Sequence, residues 1–264
     1  MYIVWVSCGG GQSGPRPGHE HTHTVIFLHG RGDNIHDFWR GLNKWVDSRG
    51  RTLDQAFPTF RFVLPEAPQR QVAAAAPNNV VWNQWFDVWD TTDFSHKEEL
   101  LTEGLRDVIP HLRLLIAHEA SQLPSGPSRI ILAGISMGGA TSAHLLFNLE
   151  VPLGAFMGFS CRCPFAGSCT TLAQMREVLG VDFGLALGHG NETLRGTPVL
   201  LEHCADDPLV RVQNGRGLRD TLKAFGCQVE WKEYPTGGHW FNSPDGMDNA
   251  VRFLEEKVAG KAQS

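Results

Sequence analysis

Gly134-Ile135-Ser136-Met137-Gly138 places a serine between glycines two residues away on either side. That spacing suits a nucleophile elbow, a tight turn from strand into helix that lifts the hydroxyl clear of its neighbours. The glycines let the two elements approach without side-chain clash, and the helix N-terminus behind the serine favours developing negative charge. A serine hydroxyl attacks only when a base takes its proton, and the base needs an acid to fix its tautomer. Downstream of Ser136, Asp206 and Asp207 follow the apolar run Val199–His203, and His239 lies in the loop Pro235-Thr236-Gly237-Gly238-His239. Spacing alone leaves the two aspartates equivalent. His189, in a Gly-rich stretch, and His203, inside a strand-like run, also follow Ser136 and read as structural. The chemistry of such a set is acyl transfer through a covalent serine intermediate, and it needs no cofactor.

These residues work together only if strands hold them at one edge of a sheet. Apolar runs that read as buried strands are Thr24–Leu28, Phe60–Leu64, Arg129–Ala133, Gly154–Phe159, Pro198–His203 and Gln228–Tyr234. Helical stretches lie between them at Asp37–Arg49, Gly138–Leu149, Leu172–Leu179, Gly215–Phe225 and Met247–Val258. Ser95-His96-Lys97-Glu98 reads as a capping box that opens a further helix to about Ala120, kinked or broken at Pro110. The alternation predicts an α/β fold, a mostly parallel central sheet with helices on both faces. Gln12–Gly18 and Leu123–Ser128 are only loop-sized, so one domain over residues 1–264 is expected.

Two further motifs match a pattern but not its context. Gly9-x-Gly11-x-x-Gly14 spells a dinucleotide fingerprint, yet Pro15 and Pro17 prevent the helix that would face a pyrophosphate, and a flexible turn is expected. His19-Glu20-x-x-His23 spells a zinc motif that requires a helix. It runs into a β-branched segment, where His19 and His23 stand ~13 Å apart at ~3.3 Å per residue, too far to share a metal. His21 and His23 share a strand face and would hold stray metal only weakly. Cys161, Cys163 and Cys169 lack the spacing of a structural zinc site, so no metal is assigned. The 264 residues carry 23 Lys plus Arg against 28 Asp plus Glu, a formal charge of −5, which offers no basic stripe for nucleic acid. No run approaches a membrane span, and Met1–Ser7 lacks the charged start of a signal peptide, so a cytoplasmic protein is expected.

Val25-Ile26-Phe27-Leu28-His29-Gly30-Arg31-Gly32-Asp33, Trp85-Phe86-Asp87, Gly134 to Gly139, Asp207-Pro208-Leu209-Val210 and Gly238-His239 occur in order across most of the chain. Together they resemble the acyl-protein thioesterase/lysophospholipase group of carboxylesterases, especially its fungal members. The resemblance implies an α/β-hydrolase fold, Asp207 rather than Asp206 as the acid beside Ser136 and His239, and an oxyanion hole at the backbone amides of Arg31 and Met137. Physics agrees with that hole, since one donor should follow the nucleophile and the other should come from a glycine-rich loop after an early strand. His29 then holds the loop, and Arg31-Gly32-Asp33 matches an integrin tripeptide by coincidence.

Met137 stands where common thioesterases have glutamine, which makes the pocket more apolar. Val81–Asp90 is tryptophan-rich, and Trp82, Trp85, Phe86 and Trp89, with Met137 and Trp240, are the expected substrate wall. The stretch 161–197 is longer than in compact members, and its helix at Leu172–Leu179 is expected to cap the site. The substrate expected is a small-molecule or lipid-like acyl ester or thioester, with an acylated protein as a further candidate. The alternatives are an acyltransferase, a specialised hydrolase of secondary metabolism, or a non-catalytic binding protein that keeps the scaffold.

Overall fold

The six apolar runs become the parallel strands of one sheet. The computed structural model describes residues 5–7, 15–181 and 191–262. Its strands are β1 (Trp5–Ser7), β2 (His23–Leu28), β3 (Phe60–Pro65), β4 (Gln69–Gln71), β5 (Val81–Asn83), β6 (Ile130–Ile135), β7 (Ala155–Phe159), β8 (Val199–Cys204) and β9 (Val229–Tyr234). Seven of them form a sheet in the order β1-β3-β2-β6-β7-β8-β9, parallel throughout except where β1 pairs β3. β4 and β5 pair antiparallel as a separate ribbon.

Alternation along β6 shows how the sheet is covered. Ile130 and Leu132 join one core, while Ile131, Ala133 and Ile135 join the other. On the second face lie α1 (Ile35–Leu42), α2 (Leu53–Ala56) and, at the far end of the chain, the helix Asp245–Lys257. The first face carries α3 (Leu100–Ser121), α4 (Met137–Phe147), α5 (Leu172–Glu177), α6 (Glu192–Gly196) and α7 (Val212–Ala224). The C-terminal helix is α8. Because β2, β6, β8 and β9 run parallel, the loops that leave them open at the same sheet edge.

Three local expectations are corrected. Asn34 caps α1 by accepting from the His36 and Asp37 amides, and this helix ends at Leu42 rather than Arg49. Ser95 makes no capping box, because its hydroxyl donates to Asp93 and α3 begins only at Leu100. Glu98 instead accepts from the Phe165 amide and the Arg162 guanidinium, so a contact across the fold outcompetes the local one. Pro110 sits inside α3, which continues through it to Ser121. The helix expected at Leu172–Leu179 forms as the shorter α5, capped by Thr171, and it packs on α4 through the buried Met175 and the Arg176 bond to the Phe147 carbonyl. α5 thus belongs to the first-face layer, and none of its described residues lines the cavity reported below. The Gly9–Gly14 turn, Cys8 and His189 lie outside the described residues.

Candidate active site

Ser136 follows β6 directly and is the residue that caps α4. Its backbone is held at φ 55° and ψ −122°, a left-handed conformation that is costly for any residue but glycine. The turn is pinned by its own amide, which donates to the Phe159 carbonyl at 2.9 Å. The flanking glycines are sterically required. A Cβ at position 138 would stand 2.3 Å from the Leu28 carbonyl oxygen, and one at 134 would stand 2.5 Å from Gly138. Met137 opens α4, and the first amides of a helix have no intrahelical acceptor, so its N–H is available beside the serine.

The two aspartates, indistinguishable by spacing, separate cleanly here. His239 Nδ1–H donates to Asp207 Oδ2 at 2.8 Å, while Asp207 Oδ1 accepts from the Leu209 and Val210 amides at 2.9 Å each. Asp206 instead accepts from the Gly238 amide at 2.8 Å and the Gly237 amide at 3.3 Å. One carboxylate faces the imidazole and the other braces the loop that carries it. Burial alone would raise the Asp207 carboxyl, but bonds from His203, His239 and the Val210 amide, with the charge of His239, outweigh it and hold the group well below the usual carboxylate range. His203 donates through Nε2 to the Val210 carbonyl at 2.6 Å and lies 3.3 Å from Asp207 Oδ2. It is a buried brace for the acid, consistent with a structural reading.

The loop after β2 is fastened at several points. His29 Nδ1–H donates to the Gly30 carbonyl at 2.7 Å and its Nε2 accepts from the Ala67 amide at 3.0 Å, which fixes a neutral ring. Burial lowers its pKa in the same sense. The Gly32 amide donates to the Asn83 carbonyl at 2.7 Å, and the Asn83 side chain donates to the Asp33 carbonyl. Arg31 Nε donates to Gln84 at 2.8 Å, its guanidinium lies 3.6 Å from Asp87, and it covers the Trp82 ring at 4.9 Å. Among the described residues the Arg31 amide itself has no hydrogen-bond acceptor. The side chain is thus an anchor, and the amide is free to serve.

A cavity of about 690 Å³ opens between these loops, within the size range of small-ligand sites. Gly30, Arg31, Ser136, Met137 and His239 all line it. Trp82, Phe86 and Trp240 line it as well, joined by Phe94, Leu209 and Val210, which the sequence reading did not assign to the wall. Two of the expected wall residues are corrected. Trp85 is fully buried and donates its indole N–H to the His29 carbonyl at 2.9 Å, so it supports the loop from beneath. Trp89 does not line the cavity and is covered by Lys97, 3.2 Å above its ring. From residues 161–181 and 191–197, only Arg162 reaches the cavity.

The candidate metal motifs take other roles. Residues 19–22 form no helix; His23 begins β2 and meets Arg129, and burial pushes it down to about 4. Cys161, Cys163 and Cys169 are free and buried, and burial pushes the Cys163 thiol up to about 12. Among the described residues no helix is long and apolar enough to cross a membrane.

A serine elbow, an aspartate–histidine pair and a glycine loop, all carried at one edge of a mostly parallel sheet covered by helices on both faces, define an α/β-hydrolase. The chain belongs to the phospholipase/carboxylesterase family, which it matches over residues 15–258, and it is a hydrolytic enzyme. Acyl-protein thioesterase 1 of Gibberella zeae is 30% identical over 248 residues, 92% of this chain and 93% of that one. Its namesake in Neurospora crassa is 29% identical over 253 residues, 92% of this chain and 91% of the relative. The crystal structure of Zea mays acyl-protein thioesterase 2 aligns with a TM-score of 0.70 at 24% identity, covering 97% of this chain and 100% of the other.

Proposed function

We propose that the protein hydrolyses carboxylic esters or thioesters through an acyl-enzyme on Ser136, with His239 as base and Asp207 as its orienting acid. The observation that carries this reading is the 2.8 Å bond from His239 Nδ1 to Asp207, made by a histidine that lines the same cavity as Ser136. Asp207 accepts at Nδ1, so the other ring nitrogen is left to receive the serine proton. The Ser136 oxygen attacks the acyl carbon as that proton passes to His239. The amides of Arg31 and Met137 take the tetrahedral oxyanion, and collapse breaks the bond to the alcohol or thiol, which leaves with the proton from His239. Water then enters, gives its proton to His239 and releases the acid, and the serine regains its hydrogen.

The apolar wall of Met137, Trp82, Phe86 and Trp240 suits a neutral acyl chain. The relatives are named acyl-protein thioesterases, which makes a lipid-like ester or an acylated protein a substrate class to examine for this chain. A fluorophosphonate probe tests the nucleophile directly. Labelling should fall on the peptide containing Ser136, and Ser136→Ala should lose the label together with about 10⁴- to 10⁶-fold in rate while keeping its fold. A folded Ser136→Ala enzyme with a tenth of the turnover would refute the assignment.

A further inference from the structure

Among the described residues Arg162 is the one long cationic side chain that enters the cavity wall from the first face of the sheet. It follows β7 by three residues and is only 8% exposed. Its guanidinium lies 4.4 Å over the Phe94 ring, itself a cavity residue, and Nη1 donates to Glu98 Oε1 at 3.2 Å. Nη2 is buried and has no hydrogen-bond partner among the described residues. Glu98 is shared, since the same oxygen also accepts from the Phe165 amide at 2.8 Å. Glu98 does not line the cavity, so an occupant meets the guanidinium and not its counter-ion.

A buried guanidinium hydrogen without an acceptor is costly, and no described residue relieves this one. Arg61 and Arg70 also bury an Nε with no hydrogen-bond partner among the described residues, but neither lines the cavity, so Arg162 is set apart by where its free donor lies. Arg176 reaches the Phe147 carbonyl and Arg106 the Leu179 carbonyl, both away from the cavity. Held flat by Phe94 and turned by Glu98, Arg162 presents a preset donor in otherwise apolar surroundings. A carboxylate is the acceptor best matched to it, because charge-assisted bonds to arginine are short, strong and directional.

We propose that Arg162 is a specificity-determining residue that receives a carboxylate carried by the ester substrate, so that the enzyme prefers acidic esters over neutral ones of the same shape. This rests on the hydrolytic reading of the same cavity. The other charged groups of the lining agree in balance. Arg31, which faces Asp87 from the wall, adds a second cation, and Asp33 is the single carboxylate among the described lining residues.

The test compares monoethyl esters of four- to eight-carbon dicarboxylic acids with the same molecules carrying a primary amide in place of the free acid. Butanoyl esters of short hydroxy acids and of their amides place the carboxylate on the leaving side. The wild-type enzyme should favour the acid over its amide by about ten- to a hundredfold in kcat/KM at one chain length or more. Arg162→Gln should reduce that ratio to near one, and Arg162→Lys should restore part of it. The ratio is taken within each protein, so a general loss in a variant cancels. Should Arg162→Gln fail to fold, inhibition of the wild type supplies the reading. Free dicarboxylates should inhibit at least tenfold more strongly than their monoamides. Equal rates on acid and amide at every length and on both sides of the ester would overturn the proposal, as would an unchanged ratio in Arg162→Gln. Failure to hydrolyse any ester would instead refute the hydrolytic reading beneath it.

Discussion

Replacing Asp207 with asparagine should abolish catalysis, whereas the same change at Asp206 should not, and the geometry says why. Asp207 Oδ1 accepts two backbone amides and Oδ2 accepts His239. An asparagine that keeps its oxygen toward Leu209 and Val210 turns its NH₂ on His239, so Nδ1 must become the acceptor. The proton then sits on the nitrogen that should receive the serine hydrogen, and the base is blocked. The flipped amide fares no better, because its NH₂ would face two amide donors. The penalty for the wrong tautomer is about 10⁴ in kcat, or ~5 kcal/mol at 1.36 kcal/mol per decade. At Asp206 an asparagine retains its bond from the Gly238 amide and loses only the longer one from Gly237. That should cost no more than about tenfold, through a looser His239 loop. Steady-state hydrolysis of ethyl butanoate by both variants, with folding checked by thermal melts, decides the matter. Asp207→Asn retaining a tenth of wild-type turnover, or Asp206→Asn falling as far as Asp207→Asn, would refute the reasoning.

Trp82 is 44% exposed at the cavity, so Trp82→Ala should remove ~50 Å² of chain contact. At ~25 cal/mol per Å² this is about tenfold in kcat/KM for an octanoyl ester and little for an acetyl ester. Trp85→Ala should instead cost ~3–5 kcal/mol of stability, read by chemical denaturation, with no preference among chain lengths; chain-length discrimination by Trp85→Ala would restore it to the substrate wall. His144 donates to the Pro164 carbonyl, its Nδ1 has no partner among the described residues, and burial pushes it from 6.5 down to about 4. A ring neutral in the native state takes up a proton more readily once unfolded. Its contribution is therefore whole above pH 6.5 and lost as pH falls toward 4, ~3 kcal/mol at the end. His144→Gln should flatten the fall in stability between pH 7 and pH 4, and an unchanged slope would remove His144 as its source.

The parts of the molecule that could be read in the sequence are those whose information is local. A parallel strand buried on both faces is a largely apolar run, so β2, β3, β6, β7 and β8 stand out within a residue or two of their ends. The edge strand β9, half-buried over Val229–Lys232, shows instead as the alternating VEWKEY. The elbow is equally local, since both glycines are demanded by backbone atoms a few residues away or on the adjoining strand. The ribbon of β4 and β5 escaped notice because Gln69–Gln71 and Val81–Asn83 are three residues each and mostly polar. Ser95 to Glu98 has the spacing of a capping box, but no window of four residues can reveal that Arg162 and Phe165 will claim the glutamate.

The tryptophans show where type and spacing cease to be informative. Trp82, Trp85 and Trp89 share one short segment, yet each indole is used differently. What separates them is the partner for the ring nitrogen and the ring face. Trp85 finds the His29 carbonyl, which exists only because the neighbouring loop is drawn inward by its own bonds to Gly30 and Ala67. With its polar atom satisfied in the interior, that ring is buried at little cost and holds the start of the loop at His29. Trp82 lies over the same loop from outside, against Gly32 and the Arg31 guanidinium, and keeps a face toward the cavity. The two rings therefore brace one loop at two points, His29 and Gly32. The Arg31 amide, proposed above as an oxyanion donor, lies between these two contacts, although only Trp82 lines the cavity.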